Sequence, residues 1–163
     1  AEKLIVRQVL GYDGVEPSGN SNAALAFLKL SAYLANPNLI RNAEKIFLAF
    51  HEELTEYGMN SSFMMQALHL YLGGLKEVAI IGKKNDPSTK KMLKTIRSKF
   101  FPNAVFTFSY EDELIKNSAD IPLLAKKNLL GGKATAYVCK LGTCLTPVNS
   151  PEDLADLLKY EEN

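Results

Sequence analysis

The chain has 163 residues, a net charge of +1, 47% apolar residues and 23% charged residues, enough for one ordinary domain of soluble globular composition. Near-neutral charge excludes a nucleic-acid footprint, which would need clustered Lys and Arg, and no apolar run is long enough for a membrane-spanning helix. The two Cys are too few for a disulfide framework, and no signal-peptide pattern opens the chain, so a reducing, cytoplasmic location is expected.

The chain starts Ala1-Glu2-Lys3 without an initiator Met, which reads as a processed chain or a piece of a longer one. Leu4 to Leu10 alternates poorly and leads into the turn signal Gly11-Tyr12-Asp13-Gly14. The loop Asp13 to Ser21 gathers two Gly, a Pro, two acids, two Ser and an Asn just before an apolar segment. From Ser21 to Ala35 the sequence reads helix with Lys29 as its only charge, and a helix apolar nearly all round is buried on most sides. Asn36-Pro37 stops it and starts the next, Asn36 as N-cap and Pro37 in the first helical position. That helix, Pro37 to Tyr57, is amphipathic: Leu39, Ala43, Ile46, Phe47, Phe50 and Leu54 recur at helical spacing opposite a charged face. A third helix, Phe63 to Leu72, has only Gln66 and His69 as polar members and reads as mostly buried. Buried, amphipathic, buried is the pattern of helical hairpins in α/α barrels, of which this chain would hold only a part.

At Lys76 the period changes. Glu77 to Gly82 is a short apolar run of buried-strand type, Asp86-Pro87 opens a helix to about Phe100, and Ala104 to Phe108 is a second strand. Strand, helix and strand at this length make a βαβ unit. Glu111 to Lys127 reads as irregular with one helical turn. Ala134 to Cys139 and Cys144 to Val148 pair as a hairpin, and Ser150 with Asp153 caps a last helix to about Tyr160. The tail Glu161-Glu162-Asn163 reads as frayed. The expected fold is mixed α+β: barrel-type helices over residues 1–74, then a small α/β lobe over residues 75–163.

The phrases GYDGVEPSGNSNAA, GGLKEVAIIG and KATAYVCKLGTCLTPVNSPEDL span most of the chain. In this order the chain resembles the YyaL-like, spermatogenesis-associated family, whose members carry a thioredoxin-like domain at the N-terminus. The resemblance implies an (α/α)6 barrel similar to N-acylglucosamine 2-epimerases and six-hairpin glycosidases. It also implies that these residues are the C-terminal part of a longer protein, with the thioredoxin-like domain and the remaining barrel as partners in the same polypeptide. A carbohydrate-related enzyme is then expected only in the full-length protein, with a small sugar as ligand and no cofactor. The alternative is a non-catalytic interaction or redox-linked regulatory module.

Two readings stand for the loop. Asp13 and Glu16 suit acid, base or nucleophile roles in sugar chemistry, Ser18 and Asn20 suit hydroxyl recognition, and Tyr12 suits stacking on a sugar ring. The same residues make a turn and an N-cap, with the acids favoured by the helix dipole. His69 is an acid/base candidate or a hydrogen-bonded core histidine, and His51 reads as surface. Cys139 and Cys144 lie opposite each other across the hairpin, where a disulfide is feasible. Packing as small hydrophobes is preferred, a redox pair comes second, and a metal site, lacking two further ligands, comes last. Gly82-Lys83-Lys84-Asn85-Asp86 lacks the P-loop ending and reads as a capping turn. Three isolated barrel helices would expose apolar faces and self-associate.

Overall fold

The computed structural model describes residues 9–159; the start of the Leu4–Leu10 stretch and the tail Glu161–Asn163 lie outside the described residues. Ser18 begins helix α1 (Gly19–Tyr33), its hydroxyl accepting from the Ser21 N–H at 3.1 Å as an N-cap does. Only one stripe of α1 is buried: Ser21, Ala24, Leu28 and Ala32, at three- and four-residue spacing. Leu30 stays 43% exposed, so the expectation of burial on most sides is corrected. Composition made the helix apolar all round, but only that one stripe is covered by neighbours.

Helix α2 (Pro37–Ala49) has Pro37 in its first position, and α3 (His51–Glu56) follows directly. The single helix expected over Pro37–Tyr57 is bent at Phe50, whose φ and ψ are −113° and 24°. Backbone bonds still run through the bend, Phe50 N–H to the Ile46 carbonyl at 3.1 Å and Leu54 N–H to the Phe50 carbonyl at 3.0 Å. The bend turns the Phe50 ring into the core against Gly11, where a β-carbon would collide with the ring. A 3-10 turn at Gly58–Ser61 leads to α4 (Ser62–Gly73). Here too a single face is buried, formed by Met64, Ala67 and Leu70, while His69 and Leu72 are exposed. The Phe47 and Tyr71 rings lie 5.7 Å apart, and the Tyr71 hydroxyl donates to Glu44 Oε1 at 2.8 Å.

Strand β1 (Lys76–Gly82) pairs in parallel with β2 (Ala104–Tyr110), from Lys76↔Ala104 to Gly82↔Tyr110. Between them runs α5 (Pro87–Arg97), whose N-cap Asp86 accepts from the Ser88 N–H at 2.9 Å. Strand β3 (Thr135–Lys140) pairs antiparallel with the other side of β1, and β4 (Thr143–Cys144) forms the edge, giving the order β2-β1-β3-β4. Between β2 and β3 lie the short helix α6 (Leu114–Asp120) and the 3-10 turn Pro122–Leu124, more regular than the sequence suggested. Helix α7 (Pro151–Leu157) is capped by Ser150, which accepts from the Asp153 N–H at 3.0 Å.

Alternation along the strands assigns the two faces. Val78, Ile80, Ala136 and Val138 pack with Met92 of α5 and with Leu154 and Leu158 at α7. Ala79, Ile81, Val105, Thr107 and Cys139 face the other way, where Leu123 and Leu124 are also buried. The mixed α+β class therefore stands, with one four-stranded mixed sheet. By packing, the chain divides into two units: residues up to Ser31 with Pro37–Gly73, and Ala32–Asn36 with the chain from Gly74 on. No helix among the described residues is long and apolar enough to cross a membrane.

Candidate functional site

The polar loop before α1 is built around Asp13. Its Oδ1 accepts from the Ser18 N–H at 2.8 Å, and its Oδ2 from the N–H groups of Phe63 and Met64 at 2.8 and 3.2 Å. Those two N–H groups lie in the first turn of α4, where a helix leaves donors unpaired. One carboxylate thus closes its own loop and caps a helix 50 residues away in sequence. Burial alone would raise the Asp13 carboxyl. The bonds from Ser18, Ser21, Met64 and Phe63 outweigh it and hold the group below its ordinary value.

Around it, the Ser18 hydroxyl meets Ser21 Oγ at 2.8 Å, and the Asn20 side-chain amide donates to the Leu10 carbonyl at 2.7 Å. The Ser61 hydroxyl donates to the Gly11 carbonyl at 3.0 Å, and the Asp13 N–H to the Asn60 carbonyl at 2.7 Å. Asp13, Ser18 and Asn20, expected at a sugar-binding rim, are engaged with backbone. Glu16 and Tyr12 are exposed on the same loop, outside this network. His69 is exposed on α4, more than a turn beyond the residues that Asp13 caps. His51, the first residue of α3, is exposed. Among the described residues no three His, Cys, Asp or Glu side chains gather as metal ligands would.

The second place is the β3–β4 hairpin, where Cys139 and Cys144 are joined by a disulfide. Cys139 is buried, as the packing reading expects, but Cys144 is exposed and neither is a free thiol. The preference for two small hydrophobes is corrected. Its reason lies in the turn: Leu141 and Gly142 alone link the strands, with φ of 50° and 77°, the positive values of a type I′ turn. That turn makes Lys140 and Thr143 one facing pair and Cys139 and Cys144 the next. Further on, Leu145 N–H donates to the Val138 carbonyl at 2.9 Å, while Ala136 bridges to Val148. The register shifts by one between these pairs, which places a bulge at Thr146-Pro147, where Pro has no N–H for the ladder.

Across the ladder from Cys139 stands Glu77 of β1. Burial pushes its carboxyl up, partly offset by a hydrogen bond from the Gly142 N–H and by the charge of Lys127. Burial likewise lowers the Lys127 ammonium, against the pull of Glu77. Lys127 Nζ donates to the Leu123 carbonyl at 2.6 Å and lies 5.8 Å from the centre of the Tyr137 ring. The Tyr137 hydroxyl donates to the Asn128 carbonyl at 2.9 Å. Sequence reasoning passed over Glu77, although one acid at the head of the apolar run Val78 to Ile81 is a signal in itself. Lys127 and Tyr137 carry no such signal, because only the fold brings them together. The Gly82–Asp86 loop behaves as the sequence reading expects. The Lys83 N–H donates to Thr89 Oγ1 at 3.0 Å, and Asp86 caps α5.

No family model matches the chain, and no solved structure matches it. Human spermatogenesis-associated protein 20 is 30% identical over 146 residues, which are 90% of this chain and 19% of that protein. The mouse protein of the same name is 27% identical over 146 residues, 90% of this chain and 18% of that protein. An uncharacterised Caenorhabditis elegans protein is 26% identical over 160 residues, 96% of this chain and 21% of its own length. The chain spans about a fifth of the length of these relatives. The similarity covers 90% of this chain and supports its likeness to the spermatogenesis-associated protein 20 family.

Proposed function

We propose that this chain is a non-catalytic packing segment of a longer protein, its helical unit seating against polypeptide that the relatives carry outside the matched stretch. One observation carries the reading. Helices α1, α2 and α4 are rich in apolar residues yet leave Leu30, Leu48, Met65 and Leu72 exposed, with Met59 94% exposed between α3 and α4. These exposed apolar side chains, gathered on one small unit, support its reading as an interaction face. Methionine oxidation by dilute peroxide, read by mass spectrometry, tests it. Met59 and Met65 should oxidise quickly in this chain and be protected in the longer protein; equal rates in both would count against the reading.

A second reading is favoured by the loop itself. Asp13, Ser18 and Asn20 fix its backbone and leave Tyr12 and Glu16 exposed, a rigid arrangement of a ring and a carboxylate suited to a sugar. In the longer protein this loop would lie at the rim of an α/α barrel related to sugar epimerases and glycosidases. Calorimetry of mono- and disaccharides against that protein decides the matter. Binding weakened by Glu16→Gln supports the reading, and binding indifferent to the change removes it.

A further inference from the structure

We infer that the Cys139–Cys144 disulfide is a reversible redox site, opened by a dithiol reductant that attacks at Cys144 and freeing the β3–β4 turn. Three features of the hairpin support this. The two cysteines are unequally exposed: Cys139 is 2% exposed, whereas Cys144 and every other residue from Lys140 to Thr146 are exposed. The bond closes a loop of sequence separation 5, and short loops restrain the unfolded chain least, so it is a weak structural staple. Finally, β4 is a two-residue edge strand that contributes no buried side chain, so it can detach while the sheet core stays intact.

The exchange balances without any further reactant. A thiolate of the dithiol attacks Cys144 Sγ, the Sγ–Sγ bond breaks, and its electron pair leaves on Cys139, which takes a proton from water. The second thiolate of the reductant then displaces Cys144, which is protonated in turn. Two electrons pass to the cysteine pair, and the reductant ends as a disulfide.

Glu77 sits beside this chemistry as a positioning residue. It faces Cys139 across the ladder, and its carboxylate accepts from the N–H of Gly142, inside the loop that the disulfide closes. When ionised it opposes the thiolate leaving at Cys139 and holds the turn in place. Lys127 is the cation that faces Glu77 in return.

The test uses the 163-residue chain in dithiothreitol buffers of graded oxidised-to-reduced ratio. Iodoacetamide labelling counts thiols, and amide hydrogen exchange reports on structure. The expected result is a reversible two-thiol transition at which the Leu145 amide, bonded to the Val138 carbonyl, exchanges at least about tenfold faster, while β1 amides keep their protection. With oxidised glutathione in place of the dithiol, whose single thiol cannot resolve the product, Cys139→Ser should form a mixed disulfide at Cys144 and release one glutathione thiol, and Cys144→Ser should form far less at the buried Cys139. Glu77→Gln, still an acceptor for Gly142 but uncharged, should speed reduction severalfold. Free thiols under oxidising buffers, or a disulfide that yields only with global unfolding, would overturn the proposal. A Glu77→Gln rate equal to that of the unaltered chain removes Glu77 from it.

Discussion

Asp13 commits both carboxylate oxygens to backbone N–H groups, one pair of which opens α4. Asn in its place would turn an amide N–H towards donors that need an acceptor. Asp13→Asn should therefore cost about 1–2 kcal/mol, a lost cap together with a lost charge-assisted bond, read as a lower urea midpoint. The pH dependence follows from the depressed carboxyl. A folded value below the ordinary 3.8 means that the bonds contribute fully above that value and are lost as pH falls through the lower one. Stability curves should thus fall more steeply below about pH 4 for the unaltered chain than for Asp13→Asn. Gly11 is a second residue with one tolerated identity, since a β-carbon would meet the Phe50 ring. Gly11→Ala should destabilise by about 1–3 kcal/mol through overpacking, and thermal melts would show it.

At the scale of elements, the β3–β4 turn is held against local preference. Leu141 sits at a φ of 50°, where a side chain of its size is unfavourable, and it is 71% exposed, so its apolar side chain returns little. Leu141→Asn would give the Asn-Gly pair that type I′ turns favour. It should stabilise by about 1 kcal/mol, a rise in Tm of roughly 2–4 °C, with the Cys139–Cys144 bond unchanged. What was legible in the sequence follows the same division between local and distant causes. Asp86-Pro87 and Ser150-Pro151 announce α5 and α7 because a cap and a Pro act within one turn of chain, and the βαβ unit follows from apolar runs alone. The bend at Phe50 was not legible, since it answers to Gly11, nearly forty residues earlier. Nor was the role of Asp13, because an acid in a polar loop looks the same whether it meets a ligand or the N–H groups of Phe63 and Met64. Cys139 and Cys144 were readable as neighbours, but not the two-residue turn that settles them as a bonded pair.

For the whole molecule, the contrast between sequence and burial in the helical unit is the informative quantity. Leu48 on α2 and Leu72 on α4 are each 74% exposed, although full burial of such a side chain contributes about 1.5–3 kcal/mol. If these faces seat against further polypeptide, a charge placed there has opposite consequences in two contexts. In this chain, Leu48→Lys with Leu72→Lys removes apolar surface without touching the core, so thermal stability should change by no more than about 0.5 kcal/mol per site. Self-association followed by sedimentation should fall. In the longer protein the same pair would bury two ammonium groups, at a cost of several kcal/mol unless each finds a partner, and should lower folding yield and Tm sharply. Double substitution that leaves the longer protein as stable as before would show that these faces meet water there as well, and the packing role would fail.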